Sequence, residues 1–205
     1  SPIKRVARLG TVLRKTAEFA LRGSSVEPRF EIDADLAPCD CDVGQISQVI
    51  QNIVLNAVQA MPRGGLLLLR ARNLTVHGDR PYGLQPGDYL ELSFTDEGEG
   101  IPEEHLEHVF DPFFTTKSTG SGLGLATSHS IVRRHEGALL VESVVGVGST
   151  LRVLLPACAA AVAEETPPSS GKPVHSGAGR ALVMDDEPLL RNLLTTQLQE
   201  MGYRV

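Results

Sequence analysis

With 205 residues, a formal net charge of −6, and 41% hydrophobic and 21% charged side chains, the chain has the balance of an ordinary globular protein, long enough for one medium domain and a remainder or for two small domains. The negative charge argues against binding nucleic acid or an anionic membrane, both of which call for a basic face. No apolar run approaches the roughly 20 residues that cross a bilayer.

Residues 3–22 place Ile3, Val6, Leu9, Val12, Leu13, Phe19 and Ala20 mostly three or four apart, which predicts a helix with one apolar stripe, stopped at Gly23. Residues 29–32 alternate as a strand, and 33–42, with Pro38, read as a loop. The strongest helix, 45–61, is closed by Pro62 and Gly64-Gly65. Apolar residues cover most of its circumference, and Gln48, Asn52 and Asn56 run along one face at i, i+4 and i+8. That stripe has two readings. It is a solvated or interhelical polar face, or it turns amides into a cleft, with the Asn56 carbonyl oxygen offered to a hard cation such as Mg²⁺.

Strands are expected at 66–76 and 89–95, joined by a polar Pro- and Gly-containing connection, and the second delivers Asp96 at its end. A helix follows at 122–134, then a hairpin of strands 138–143 and 149–155 through V-G-V-G. Antiparallel hairpins in place of regular βα alternation predict an α+β fold, a two-layer α/β sandwich. Residues 157–179 shift to Ala, Pro, Ser and Gly without periodicity and read as a linker. Residues 180–205 read as a buried strand, an amphipathic helix, a Gly stop and a second strand, the opening βαβ of a parallel α/β domain. With no Met at Ser1 and a strand just starting at the end, the chain is expected to be a fragment. Its three cysteines, including a tight Cys39-x-Cys41 pair, suggest a reducing, cytoplasmic compartment.

Chemistry concentrates between Asp96 and Ala126. Asp96-x-Gly98-x-Gly100 offers a carboxylate that can accept from the exocyclic amine of adenine, beside glycines that let backbone approach a base; alternatively it is a tight surface turn. Gly120-x-Gly122-Leu123-Gly124-Leu125 enters a helix whose N-terminal amides face anions, or is a flexible hinge. Phe113 and Phe114, followed by Lys117, suggest a lid over a nucleotide with the lysine reaching phosphate; otherwise the aromatics pin a loop to the core. His105-x-x-His108 and Cys39-x-Cys41 each lack a matching second pair and read as structural. Asp185 and Asp186 after an apolar strand can hold a divalent cation, cap the next helix, or both.

In order and spacing, Asn56, Asp96-x-Gly-x-Gly, Phe113-Phe114, Gly120-x-Gly122-x-Gly124-Leu and Gly146-x-Gly148-Ser-Thr150 resemble the N, F and three glycine boxes of the histidine-kinase catalytic ATP-binding domain. That is the Bergerat fold shared with gyrase, the Hsp90 chaperones and the MutL proteins. The resemblance covers residues 1–156; 180–205, with V-M-D-D-E-P, look like the start of a flavodoxin-like response-regulator receiver, so the whole resembles a hybrid sensor kinase. It implies Mg²⁺ on Asn56 with Asn52 beside it, the adenine amine on Asp96, and a pocket shaped by Gly98 and Gly100. It further implies an ATP lid over about 99–121, phosphates facing Lys117 and the amides of Gly122 to Leu125, and Thr150 closing the adenine pocket. Asp185 and Asp186 would be an incomplete receiver Mg²⁺ site. Hydrolytic members carry a glutamate four residues before the metal asparagine; here that position is Asn52, which cannot act as a base. Gln48 likewise stands where sensor kinases often carry an acid. The expected partners are an upstream histidine-bearing dimerisation domain and a receiver or response regulator. The full-length protein is expected to be a homodimer, with any membrane anchor outside this chain. A degenerate, non-catalytic scaffold of the same fold, and a hydrolytic clamp of the chaperone or topoisomerase type, are the competing readings.

Overall fold

The computed structural model describes residues 2–78, 81–116 and 122–158, together with 180, 182, 184, 198, 199 and 202–204. The chain divides into two compact units, Ser1–Ala163 and Glu164–Val205.

The first unit is built on a five-stranded sheet. Its strands are β2 (Val26–Ile32), β4 (Gly65–Val76), β5 (Gly87–Asp96), β6 (Ala138–Val144) and β7 (Gly148–Pro156), in the order β2-β4-β5-β7-β6. Only β2 and β4 run parallel; the other pairs are antiparallel, so the sheet is mixed. Strand alternation sends Leu67, Leu69 and Ala71, Leu90, Leu92 and Phe94, and Leu151, Val153 and Leu155 into one buried core. Against them pack α1 (Leu9–Ala20), α2 (Val43–Ala60) and α4 (Gly124–Arg134), whose buried residues recur at helical spacing: Leu9, Leu13 and Ala17 on α1, and Ile46, Val49, Ile50, Ile53, Val54 and Ala57 on α2. A four-residue helix, α3 (Glu103–Leu106), lies between β5 and α4. The result is the expected α+β two-layer sandwich.

The opening segment departs from expectation. Residues 3–22 are not one helix: β1 (Arg5–Ala7) pairs antiparallel with β3 (Cys39–Cys41), inside the stretch read as a loop, and α1 starts at Leu9. Ile3 and Val6 sit at helical spacing by coincidence; Val6 pairs with Asp40 on the distant strand, and Ile3 N donates to Asp42 Oδ2 at 3.0 Å. Asp42 then caps α2, its Oδ1 accepting from Gln45 N at 3.2 Å. Cys39 and Cys41 are buried free thiols on that ribbon, and the hydrogen bond between them, then burial, drives the Cys39 thiol up.

In the second unit a parallel bridge joins Arg180 and Arg204. Residues 198–199 are helical, and the N–H groups of Gly202 and Tyr203 close the turn onto the carbonyls of Gln199 and Leu198.

Candidate functional site

Between α2, the end of β5 and the start of α4 lies a cavity of about 340 Å³. The face carrying Leu92 and Phe94 ends in Asp96, so the alternation that builds the core also turns this carboxylate inward, leaving it only 5% exposed. Asp96 Oδ1 accepts from Gly98 N at 2.9 Å and from Ser149 N at 3.3 Å. These bonds tie the strand end to both the following turn and β7.

Glycines are required here by neighbouring backbone. A Cβ at Gly148 would stand 1.9 Å from the Asp96 carbonyl oxygen, and one at Gly98 would stand 2.7 Å from Ala60 Cβ. The D-x-G-x-G signature therefore has a packing cause: Gly98 wedges between Asp96 and α2 and does not itself line the cavity, whereas Gly100 does.

Helix α2 contributes Asn52, Asn56, Gln59 and Ala60 to the cavity wall. Gln48, on the same expected stripe, is exposed and takes no part. Asn52 Nδ2 donates to the carbonyl of Gly124 at 3.0 Å and to Ser128 Oγ at 3.1 Å. From α4 come Gly122, just ahead of the helix, and Gly124 and Leu125. The N-cap position is Leu123, whose side chain makes no capping bond, and the first turn of α4 brings the positive end of the helix dipole to this wall. Leu123 itself is outside the lining. Asp96 and Glu99 line the cavity along with these groups, so acceptor and donor chemistry share one hollow.

The aromatic pair is split. Phe114 lines the cavity and meets His105 edge-on, with ring centroids 5.5 Å apart. Phe113 is 73% exposed at φ 68° and lies off the cavity; its backbone N–H bonds to the Gly122 carbonyl at 3.0 Å and fastens the two ends of the intervening loop. A Cβ at Gly122 would lie 2.4 Å from the Phe113 carbonyl carbon, so this crossing needs glycine. Of the two rings expected at a nucleotide, Phe114 borders the cavity and Phe113 does not.

Thr150 does not border the cavity. Ser149 and Leu151 line the cavity, and Thr150 between them points through the opposite face, where its hydroxyl pairs with Thr95 Oγ1 at 3.0 Å. A shift of one residue along a strand exchanges faces. Lys117, Gly120, Asp185 and Asp186 lie outside the described residues. His108 bonds Asp111 at 2.8 Å, and the described residues hold no cluster of three or more His, Cys, Asp or Glu able to grip a metal. Gln59, Ile101, Val109, Ser149 and Leu151 also line the cavity without having stood out in the sequence. Of these, Gln59 had a signal, since it extends Asn52 and Asn56 at i+7 and i+3.

Residues 41–159 match the family model of the histidine kinase-, DNA gyrase B-, and HSP90-like ATPases. The chain belongs to that family. Among relatives of this ATPase, sensor kinase CckA of Brucella abortus (strain 2308) is 34% identical over 197 residues, 90% of this chain and 21% of its own length. Sensor histidine kinase ZraS of Escherichia coli (strain K12) is 36% identical over 131 residues, 64% of this chain and 26% of its own. The chain thus spans about a fifth to a quarter of these relatives. The mycobacterial sensor histidine kinase MprB superposes with a TM-score of 0.59 at 28% identity, covering 76% of this chain and 98% of that one. Full-length ShkA, crystallised with AMPPNP, shares the fold at a TM-score of 0.63 and 21% identity, over all of this chain and 40% of ShkA. The chain is a histidine-kinase ATPase catalytic domain homologous to sensor kinases. No helix among the described residues is long and apolar enough to cross a membrane.

Proposed function

We propose that this domain binds Mg-ATP in the cavity between α2 and α4 and presents the γ-phosphate to a histidine on an upstream dimerisation domain. The observation that carries the reading is convergence: Asn56 from α2, Asp96 from β5 and the N-terminal turn of α4 border one hollow, although they are far apart in the chain. Asp96 takes the adenine amine, where a buried acceptor discriminates strongly among bases. The amides of Gly122 to Leu125, at and just ahead of the first turn of α4, take the phosphates, with Lys117 and Gly120 assigned to the lid by sequence.

The donor set suits Mg²⁺. Asn52, Asn56 and Gln59 bring side-chain amides to the cavity wall, and an amide oxygen is the kind of hard donor that suits an ion bringing phosphate oxygens and water with it. When bound, the ion neutralises phosphate charge. The chain's own residues supply positioning, and Asn52 stands where a hydrolytic relative would place a base, so the phosphoryl group is kept for an imidazole in line with it.

For residues 180–205 the receiver reading is supported by the parallel bridge between Arg180 and Arg204 and by the CckA match, which extends over 90% of this chain. The boundaries at 1–156, 157–179 and 180–205, a cytoplasmic location and a homodimeric full-length kinase complete the proposal. Incubation with γ-labelled ATP tests it: acid-labile label should appear only after a separate histidine-bearing dimerisation domain is added. Label on this chain alone, or rapid steady-state phosphate release, would overturn it.

A further inference from the structure

Ser128 is fully buried in the middle of α4, where a hydroxyl destabilises unless it is bonded. Its Oγ donates to the carbonyl of Gly124 one turn earlier, at 2.8 Å, and accepts from Asn52 Nδ2 at 3.1 Å. The same Nδ2 donates to the Gly124 carbonyl at 3.0 Å, closing a triangle. A serine that merely bonds back to its own helix is common and contributes little. The corner supplied by α2 is different, because it joins two helices that both border the cavity.

The triangle also fixes the chemistry of Asn52. A carbonyl can only accept, so the nitrogen end of the Asn52 amide must face Gly124. The two acceptors stand only 2.8 Å apart, so the amide NH₂ group is turned onto both of them together, and the planar amide holds its oxygen at the other end. Asn56 follows one turn later on α2, also on the cavity wall.

We infer that Ser128 is a positioning residue: through Asn52 it sets the distance between the first-turn amides of α4, which take the triphosphate, and Asn56, which takes its metal ion. The inference rests on the Mg-ATP reading above and deepens it. Asn52 becomes the latch between the two helices. Asp96 is anchored separately, by Gly98 and Ser149, so the adenine end does not depend on the latch.

The two ends can therefore be separated by titration. In the full chain, affinities for Mg-ATP and for adenosine are measured by calorimetry or amide chemical-shift titration, in the parent, Ser128→Ala and Ser128→Cys. Cysteine keeps the volume and gives up the strong hydrogen bonds, which guards against a variant that is merely badly packed. Loss of one such buried bond should weaken Mg-ATP by about fivefold to tenfold in both variants, with adenosine within about twofold of the parent. In an Asn52→Ala background, adding Ser128→Ala should cost less than about a further twofold, because the residues act as one unit. Unchanged Mg-ATP affinity in both variants overturns the inference and leaves the nucleotide reading standing. Parallel losses of adenosine and Mg-ATP overturn it too, since they mark a purely structural serine. A parent that binds no Mg-ATP brings down both the inference and the reading beneath it.

Discussion

Replacing Asp96 separates the carboxylate's structural task from its binding task. Its Oδ1 holds two buried amides, Gly98 N at 2.9 Å and Ser149 N at 3.3 Å. Asp96→Ala leaves both without that acceptor, and at about 1–3 kcal/mol for each buried unsatisfied N–H the loss is about 2–6 kcal/mol. That is a large share of the roughly 5–15 kcal/mol that keeps a domain folded, so failure of the alanine variant to bind nucleotide would be ambiguous. Asp96→Asn retains an oxygen for both amides and exchanges a charged acceptor for a neutral one, a loss of about 1–2 kcal/mol. In the cavity it sets an NH₂ group where an acceptor stood, so the adenine amine meets a donor. Affinity for Mg-ATP should drop by at least about a hundredfold. The assay pairs thermal melting with calorimetric titration: the asparagine variant should melt near the parent and bind ATP poorly, with its preference for ATP over GTP narrowed. Parent-like ATP affinity in Asp96→Asn, or parent-like melting in Asp96→Ala, would refute the reasoning.

Three further perturbations follow from the geometry. Gly148→Ala sets a Cβ 1.9 Å from the Asp96 carbonyl oxygen at φ 137°, whereas a Cβ at Gly124 finds its nearest neighbour, Asn52 Cγ, at 3.8 Å. The first should lose about 3 kcal/mol or more and the second gain about 0.5–1 kcal/mol of helix stability, as read by denaturant melts. Thr150→Val, on the far face of β7, should leave Mg-ATP affinity within about twofold of the parent by calorimetry. His129, stacked on Phe110 with ring centroids 5.1 Å apart, is held below its ordinary value near 6.5 by burial and then by Arg133. As pH falls through that value the unfolded chain takes up the proton first, so stability is lost below it until the folded value is reached. Melts of the parent and His129→Gln across pH 7 to 5 should diverge in that sense, the variant falling less.

What could be read from the sequence was whatever local periodicity controls. The apolar wrap of α2 and its Asn52 and Asn56 positions were legible because both follow from helical spacing within one segment. Asp96 at a strand end was legible from alternation. The β1–β3 ribbon was not, because Arg5 pairs with Cys41 and no local pattern records so distant a partner. Adjacency of Phe113 and Phe114 could not say which ring turns inward, since that is set by the crossing at Gly122. Thr150 stands between Ser149 and Leu151, which line the cavity, and one residue along a strand is the whole difference between two faces. Nothing in the local sequence marks Ser128; its partner Asn52 comes from another helix.

The central claim is that one triphosphate nucleotide spans the space from Asp96 to Asn56. A crystal structure of the chain grown with Mg²⁺ and a non-hydrolysable ATP analogue tests it most directly. Adenine within hydrogen-bond reach of Asp96, phosphates on the first-turn amides of α4 and the metal on Asn56 are the predicted result. A nucleotide seated elsewhere, or adenine and metal on separate surfaces, would contradict it.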